Sequence, residues 1–215
     1  MNQPTVTVVD YGVGNLLSVS RAFEHCGARV AFARTAQEIA GAQKLILPGV
    51  GAFGEAMSAL RERGLADEIR RVALSGIPFL GICLGMQLML DYSFEFGEHQ
   101  GLGLIPGEVT PIPKIDVSGE KHKIPHIGWT ELVPPNPGQS WTDPFMDEVH
   151  PGRTVYFVHS YVCNPRQADH RLADAYYGGH RLSAIVKSGN LYGCQFHPEK
   201  SGPAGLTMLR NFIGL

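Results

Sequence analysis

The chain has 215 residues, 44% apolar and 18% charged, enough for one ordinary domain with a packed core and too apolar for a disordered polymer. Eighteen Lys and Arg against 20 Asp and Glu leave a formal charge of −2. No basic stripe accompanies it, so a nucleic-acid or membrane-surface partner has no electrostatic support. Gly (26) and Pro (15) are scattered without a period, which excludes collagen-like and low-complexity classes.

Thr5 to Val9 alternates and is β-branched, so it predicts a strand. Asn15 is placed to cap a helix running to Cys26, with Gly27 as its stop. Ala28 to Phe32 predicts a second strand, and Thr35-Ala-Gln-Glu38 a capping box opening a short helix. Lys44 to Leu47 predicts a third strand, cut by Pro48-Gly49. Helices follow over Phe53 to Arg63 and Leu65 to Leu74. Ile77 to Ile82 is an apolar run of the kind found at the centre of a parallel sheet, and Leu84 to Leu90 predicts another helix. Val72 to Leu90 carries no charge, but Gly76, Pro78, Gly81 and Gly85 make it strand, turn and helix rather than a membrane span.

The second half predicts strands over Val109 to Pro113, Thr154 to Val162, Arg171 to Tyr177, Ser183 to Val186 and Leu191 to Phe196. A last helix covers about Ala204 to Ile213, and Pro134 to Gly138 predicts a surface loop. The expected fold is α/β: a doubly wound, mostly parallel sheet with helices on both faces and a strand-rich second half. The polar N-terminus shows no signal peptide, and the four cysteines are widely spaced without a Cys-x-x-Cys pair. Both point to reduced thiols and a cytoplasmic setting.

Gly81-Ile82-Cys83-Leu84-Gly85 joins a buried strand to a helix and has the form of a nucleophile elbow with Cys in place of Ser. Such a turn would push the Cys83 thiol out at the carboxyl edge of the sheet, at a helix N-terminus that favours thiolate. A buried structural cysteine is the competing reading. His197-Pro198-Glu199 ends another predicted strand: His197 could move the proton and Glu199 could fix its tautomer. Alone, His-x-Glu is a weak pattern, and the Pro-Cys-x-x-Cys that a zinc deaminase needs does not follow. Pro48-Gly49-Val50-Gly51 opens at the same edge and could aim backbone N–H groups at an oxyanion. Gly49 to Gly54 has P-loop glycine spacing, but Glu55 and Ala56 stand where Lys and Ser or Thr belong. Asp10 to Asn15 imitates a dinucleotide loop, but its third glycine position holds Leu17. His122 and His126 are four apart with Pro125 between them, which argues against a helix presenting both to zinc. No metal and no cofactor are expected.

Gly81 to Gln87 and Phe196-His197-Pro198-Glu199-Lys200 resemble the signatures of class I (triad) glutamine amidotransferase domains, and Pro48 to Gly51 resembles their oxyanion loop. Asp10 to Leu16, Pro125-His126-Ile127-Gly128-Trp129 and Tyr156 to Tyr161 are similar to the glutaminase subunits of imidazole glycerol phosphate synthases. Thr130, where Asn is the commoner residue, and a long Pro134 to Pro144 loop depart from that pattern. The resemblance implies one glutaminase domain over residues 1–215 with Cys83, His197 and Glu199 as triad. Gly49, Val50 and Leu84 would serve the oxyanion. Gly51, Gln87, Glu95, His159, Ser160 and Tyr161 would hold glutamine. Asn15, Trp129, Tyr156 and Lys200 would face a (β/α)8-barrel cyclase/synthase subunit that receives ammonia, although Trp129 could equally belong to the core. Competing readings are a class I amidotransferase of another pathway, a non-catalytic binding subunit, and a cysteine-based redox protein.

Overall fold

The computed structural model describes residues 3–136 and 138–215. Pro137, inside the expected Pro134 to Gly138 loop, lies outside the described residues. In chain order the first half runs β1 (Thr5–Val9), α1 (Leu16–His25), β2 (Arg29–Ala33), α2 (Ala36–Ala40), β3 (Leu45–Gly49), α3 (Phe53–Glu62), α4 (Ala66–Ala73), β4 (Phe79–Cys83) and α5 (Leu84–Leu88). The second half holds β5 (Leu90–Ser93), β6 (His99–Gln100), β7 (Ile105–Pro111), β8 (His126–Glu131), β9 (Thr154–His159), β10 (Tyr161–Pro165), β11 (Arg171–Tyr177), β12 (His180–Ser188), β13 (Leu191–Cys194) and α6 (Gly202–Gly214).

The main sheet has seven strands in the order β11-β12-β13-β4-β3-β1-β2. From β13 to β2 all neighbours are parallel, and β12 and β11 add antiparallel strands at one edge. Side-chain alternation puts helices on both faces. Leu45 and Leu47 of β3 pack with Phe53, Met57 and Ile69 of α3 and α4, whereas Ile46 packs with Phe23 of α1 and Phe212 of α6. Asn15 caps α1 by accepting from Ser18 N–H, and the Thr35–Glu38 capping box closes α2. A second sheet, β10-β7-β5-β6, and the β8–β9 hairpin complete the fold.

Several expected boundaries move. Pro48-Gly49 does not cut the third strand: both residues belong to β3 and pair with Ile82 and Cys83. β1 contacts β3 only through Leu45 and Ile46, so by Pro48 one neighbour has ended and a residue without N–H disturbs little. The helix expected over Leu84 to Leu90 stops at Leu88, and Leu90 starts β5. Its last carbonyls are captured from outside, Leu88 O by Leu102 N–H and Met89 O by the N–H groups of Leu104 and Ile105. The strand expected over Thr154 to Val162 breaks at Ser160, whose carbonyl accepts from Ile112 N–H and sends the chain from the hairpin into the second sheet. The strand expected over Val109 to Pro113 is β7, starting at Ile105. β5, β6 and β8 had no counterpart among the expected strands. The 134–144 loop is tied down where Trp141 Nε1 donates to Leu172 O and Asp143 pairs with Lys187.

Candidate active site

β4 is buried along its whole length and delivers Cys83 to the carboxyl edge of the sheet with φ 55° and ψ −110°. A non-glycine residue held there stores roughly 1–3 kcal/mol of strain. Two glycines make the turn possible by close approach. A Cβ on Gly81 would lie 2.7 Å from Gly85 C and O, and one on Gly85 would overlap the carbonyl oxygen of Leu47. The α5 helix therefore sits against β3 and β4 more tightly than a side chain permits. Cys83 opens into a cavity of about 380 Å³. Val50, Gly51, Leu84, Gln87, Glu95, His159, Ser160 and Tyr161 line it, together with His197, Asn15 and Lys200. A larger cleft of about 560 Å³ lies by α3 and α4, but it holds no nucleophile, and its Arg61 and Arg70 are engaged with backbone carbonyls.

His197 reaches the same edge because β13 is the parallel neighbour of β4. Its N–H donates to Tyr156 O at 3.1 Å, and Ser201 Oγ donates to its carbonyl at 2.6 Å. The ring is oriented by Glu199, whose Oε1 lies 2.8 Å from Nδ1. Nδ1 thus carries a proton, and the ring lines the same cavity as the Cys83 side chain. Burial works against the imidazolium. The neighbouring Cys83 and Glu199 side chains favour the charged ring, outweigh burial and raise the His197 pKa to about 9. The arrangement therefore holds the proton on His197 at neutral pH.

Glu199→Gln removes a carboxylate that favours the imidazolium, so the His197 pKa falls. The alkaline limb of the pH profile of kcat/KM should move about one unit lower. A limb that stays in place, with unchanged activity at its plateau, would show that Glu199 does not set the proton affinity of His197.

The glycine-rich end of β3 lies beside the thiol, with Gly49 in register with Cys83. Tyr11 Oη donates to Pro48 O at 3.0 Å, and a Cβ on Gly49 would sit 2.7 Å from the same Oη. Gly51 adopts φ +100°, which lets the chain turn into α3. Leu84 is the first residue of α5, where amide groups have no partner inside the helix. Glu95 bridges loop and cavity: its Oε2 accepts from Phe53 N–H at 2.6 Å.

At the far end of the cavity, Gln87 Nε2 donates to Gln195 Oε1 at 3.1 Å and to Tyr161 O at 3.4 Å. Gln195 Nε2 in turn lies 3.9 Å from Cys83 Sγ. Sequence reasoning missed Gln195, although its place two residues before His197 turns it to the same side as the histidine. Tyr11 and His126 stand in stretches that carry the resemblance but were given no site role; their contacts with Pro48 and His159 depend on strand pairing.

Of the residues expected on a partner surface, Asn15 and Lys200 line the cavity mouth itself. Trp129 is 56% exposed, which settles it as a surface residue rather than core, and it packs edge to face on half-buried Tyr156 at 6.0 Å. Ile127 and Leu17 are exposed as well. Cys83, Cys163 and Cys194 are buried free thiols, and Cys26 is a half-buried one. Among the described residues no cluster of three or more potential metal ligands occurs, and no helix is long and apolar enough to cross a membrane.

A strained cysteine on a strand-to-helix elbow, backed by a His–Glu pair, is the arrangement of a nucleophilic acyl-transfer site, and the family described as Glutamine amidotransferase class-I matches residues 7–215. One chain of the PurLQS structure from Thermotoga maritima shares the fold, with TM-score 0.71 and 21% identity over 99% of both chains. The subunit HisH 1 of imidazole glycerol phosphate synthase from Legionella pneumophila (strain Lens) is 51% identical over 97% of this chain and 98% of its own length. The HisH subunit from Geobacillus thermodenitrificans is 45% identical over 98% and 95%. The chain belongs to the class I glutamine amidotransferases and, within them, to the HisH subunits of imidazole glycerol phosphate synthase.

Proposed function

We propose that the described residues act as one glutaminase domain that hydrolyses glutamine through Cys83, His197 and Glu199. The observation that carries this is the meeting of three groups from separate segments at one cavity: the elbow thiol, the Glu199-oriented imidazole and the glycine-rich strand end. Cys83 thiolate attacks the side-chain amide carbon of glutamine. The oxyanion of the tetrahedral intermediate is held by N–H groups of the Gly49-Val50 segment and Leu84. As the C–N bond breaks, His197 gives its proton to the departing nitrogen, which leaves as ammonia. A γ-glutamyl thioester remains on Cys83. His197 then takes a proton from water, the hydroxide attacks the thioester, and glutamate and the free thiol are released.

Gln87 and Glu95 suit the amino-acid end of the substrate, since a carboxylate attracts an ammonium, and Gly51 and the His159-Ser160-Tyr161 segment suit its carboxylate end. Ammonia freed into water at neutral pH is mostly captured as ammonium. That chemistry favours a docked acceptor: a (β/α)8-barrel synthase subunit that uses ammonia to form imidazole glycerol phosphate and an aminoimidazole carboxamide ribonucleotide. Exposed Trp129 with Tyr156, and Asn15 with Lys200 at the cavity mouth, suit the contact face. The names of the relatives favour this pathway over other class I pathways, and the setting would be the cytoplasm.

The test is glutamate release from glutamine by the purified chain, alone and then with a barrel synthase subunit and its nucleotide ligand. Weak activity alone with strong stimulation is expected. Equal rates in both conditions would detach the chain from this partner, and no release in either would end the glutaminase reading.

A further inference from the structure

His126 and His159 face each other across the β8–β9 pair, and both are buried. The His126 ring is stacked between Phe157, 4.9 Å away, and Tyr177, 4.1 Å away. Its two nitrogens are both engaged, Nδ1 with His159 Nε2 at 3.0 Å and Nε2 with Thr130 Oγ1 at 2.8 Å. His159 Nδ1 is 2.8 Å from Tyr161 O.

The proton positions follow from the last contact. A carbonyl oxygen only accepts, so His159 Nδ1 carries the hydrogen. Burial keeps both rings neutral, lowering the pKa of His159 to about 3 and that of His126 to about 4. His159 Nε2 is then a bare acceptor, so His126 Nδ1 donates to it. That leaves His126 Nε2 bare, so the Thr130 hydroxyl donates. Both histidines hold the Nδ1–H tautomer, the less populated one for a free imidazole side chain in water.

The end of this chain is a backbone oxygen in the wall of the active-site cavity. Tyr161 O accepts from His159 and from Gln87, and Ser160 O accepts from Ile112 N–H. Two successive carbonyls at the break between β9 and β10 are thus pinned. Because a trans peptide points its N–H opposite to its C=O, the pinned Ser160 carbonyl turns the Tyr161 N–H away from β7. Neither His126 nor Thr130 lines the cavity.

We propose that Thr130 and His126 are positioning residues that fix the 159–161 segment through the Thr130–His126–His159 hydrogen-bond chain and so set affinity for the carboxylate end of glutamine. The inference rests on the glutaminase reading above for its substrate, and on the ring contacts and the burial of both rings for its tautomers.

Two measurements test it on the full chain with its synthase subunit. In nitrogen-15 spectra of the histidine side chains, the wild type should show His126 and His159 both protonated on Nδ1. A proton on Nε2 of either ring overturns the inference, with or without glutamine turnover. In kinetics, Thr130→Val should raise KM for glutamine about five-fold. It should leave kcat and the rate of Cys83 alkylation by iodoacetamide unchanged, and Thr130→Ser should restore KM. An unchanged KM in Thr130→Val, or a Thr130→Ser variant as impaired as Thr130→Val, overturns it as well. Absence of turnover in the wild type would strike the glutaminase reading and leave the tautomer result to judge the hydrogen-bond chain.

Discussion

Cys83→Ala is expected to lower glutamate release by on the order of 10⁴-fold while leaving the folded state as stable as the wild type, or slightly more so. The loss is large because each step of the proposed mechanism passes through the sulfur. Without it His197 has no nucleophile to serve, and the oxyanion donors have no tetrahedral intermediate to hold. The fold survives because Cys83 contributes a small side chain at a cavity wall and sits at a strained φ of 55° that the surrounding turn imposes. Alanine fits the same backbone. Steady-state glutamate release with the synthase subunit, together with thermal unfolding, checks both halves. Wild-type turnover in Cys83→Ala would remove the mechanism, and a collapsed melting temperature would recast Cys83 as structural.

Gly85→Ala should fail in the opposite way, by unfolding. The added Cβ would overlap Leu47 O, a backbone atom of the adjacent central strand β3, so no side-chain rotation relieves it. Either α5 lifts off the sheet or β3 and β4 separate. A destabilisation of roughly 3 kcal/mol or more is expected, which for a domain of this size lowers Tm by about 10 °C. Activity should fall with it, because α5 carries Leu84 and Gln87. A variant melting within a degree of the wild type would mean that the turn is looser than the geometry requires.

Much of this architecture could be read from residue order. The β-branched alternation of Thr5 to Val9, the Asn15 cap and the Thr35–Glu38 box are local signals; local hydrogen bonds realise the two caps, and pairing with β2 and β3 realises the strand. The elbow was legible because its glycines are required by close approach and leave a fixed spacing around Cys83. His197 and Glu199 were legible as a pair two residues apart, and Pro198 starts the short turn that brings them together. What stayed hidden depends on long-range pairing. Leu84 to Leu90 has helical composition throughout, but amides from residues 102–105 capture its last carbonyls and end the helix early. β8 reads as ordinary loop until β9 lies opposite it, and only that register brings His126 to His159. Gln195 and Tyr11 belong to the site through contacts with Cys83 and Pro48, which are distant in sequence.

In the proposed mechanism the acyl group of glutamine passes through Cys83. The most direct test is to acid-quench the enzyme–synthase complex during turnover and map any covalent adduct by peptide mass spectrometry. A γ-glutamyl thioester on the peptide containing Cys83, absent from Cys83→Ala, is the predicted result. A glutamyl group carried on another residue of an actively turning-over sample would contradict the account.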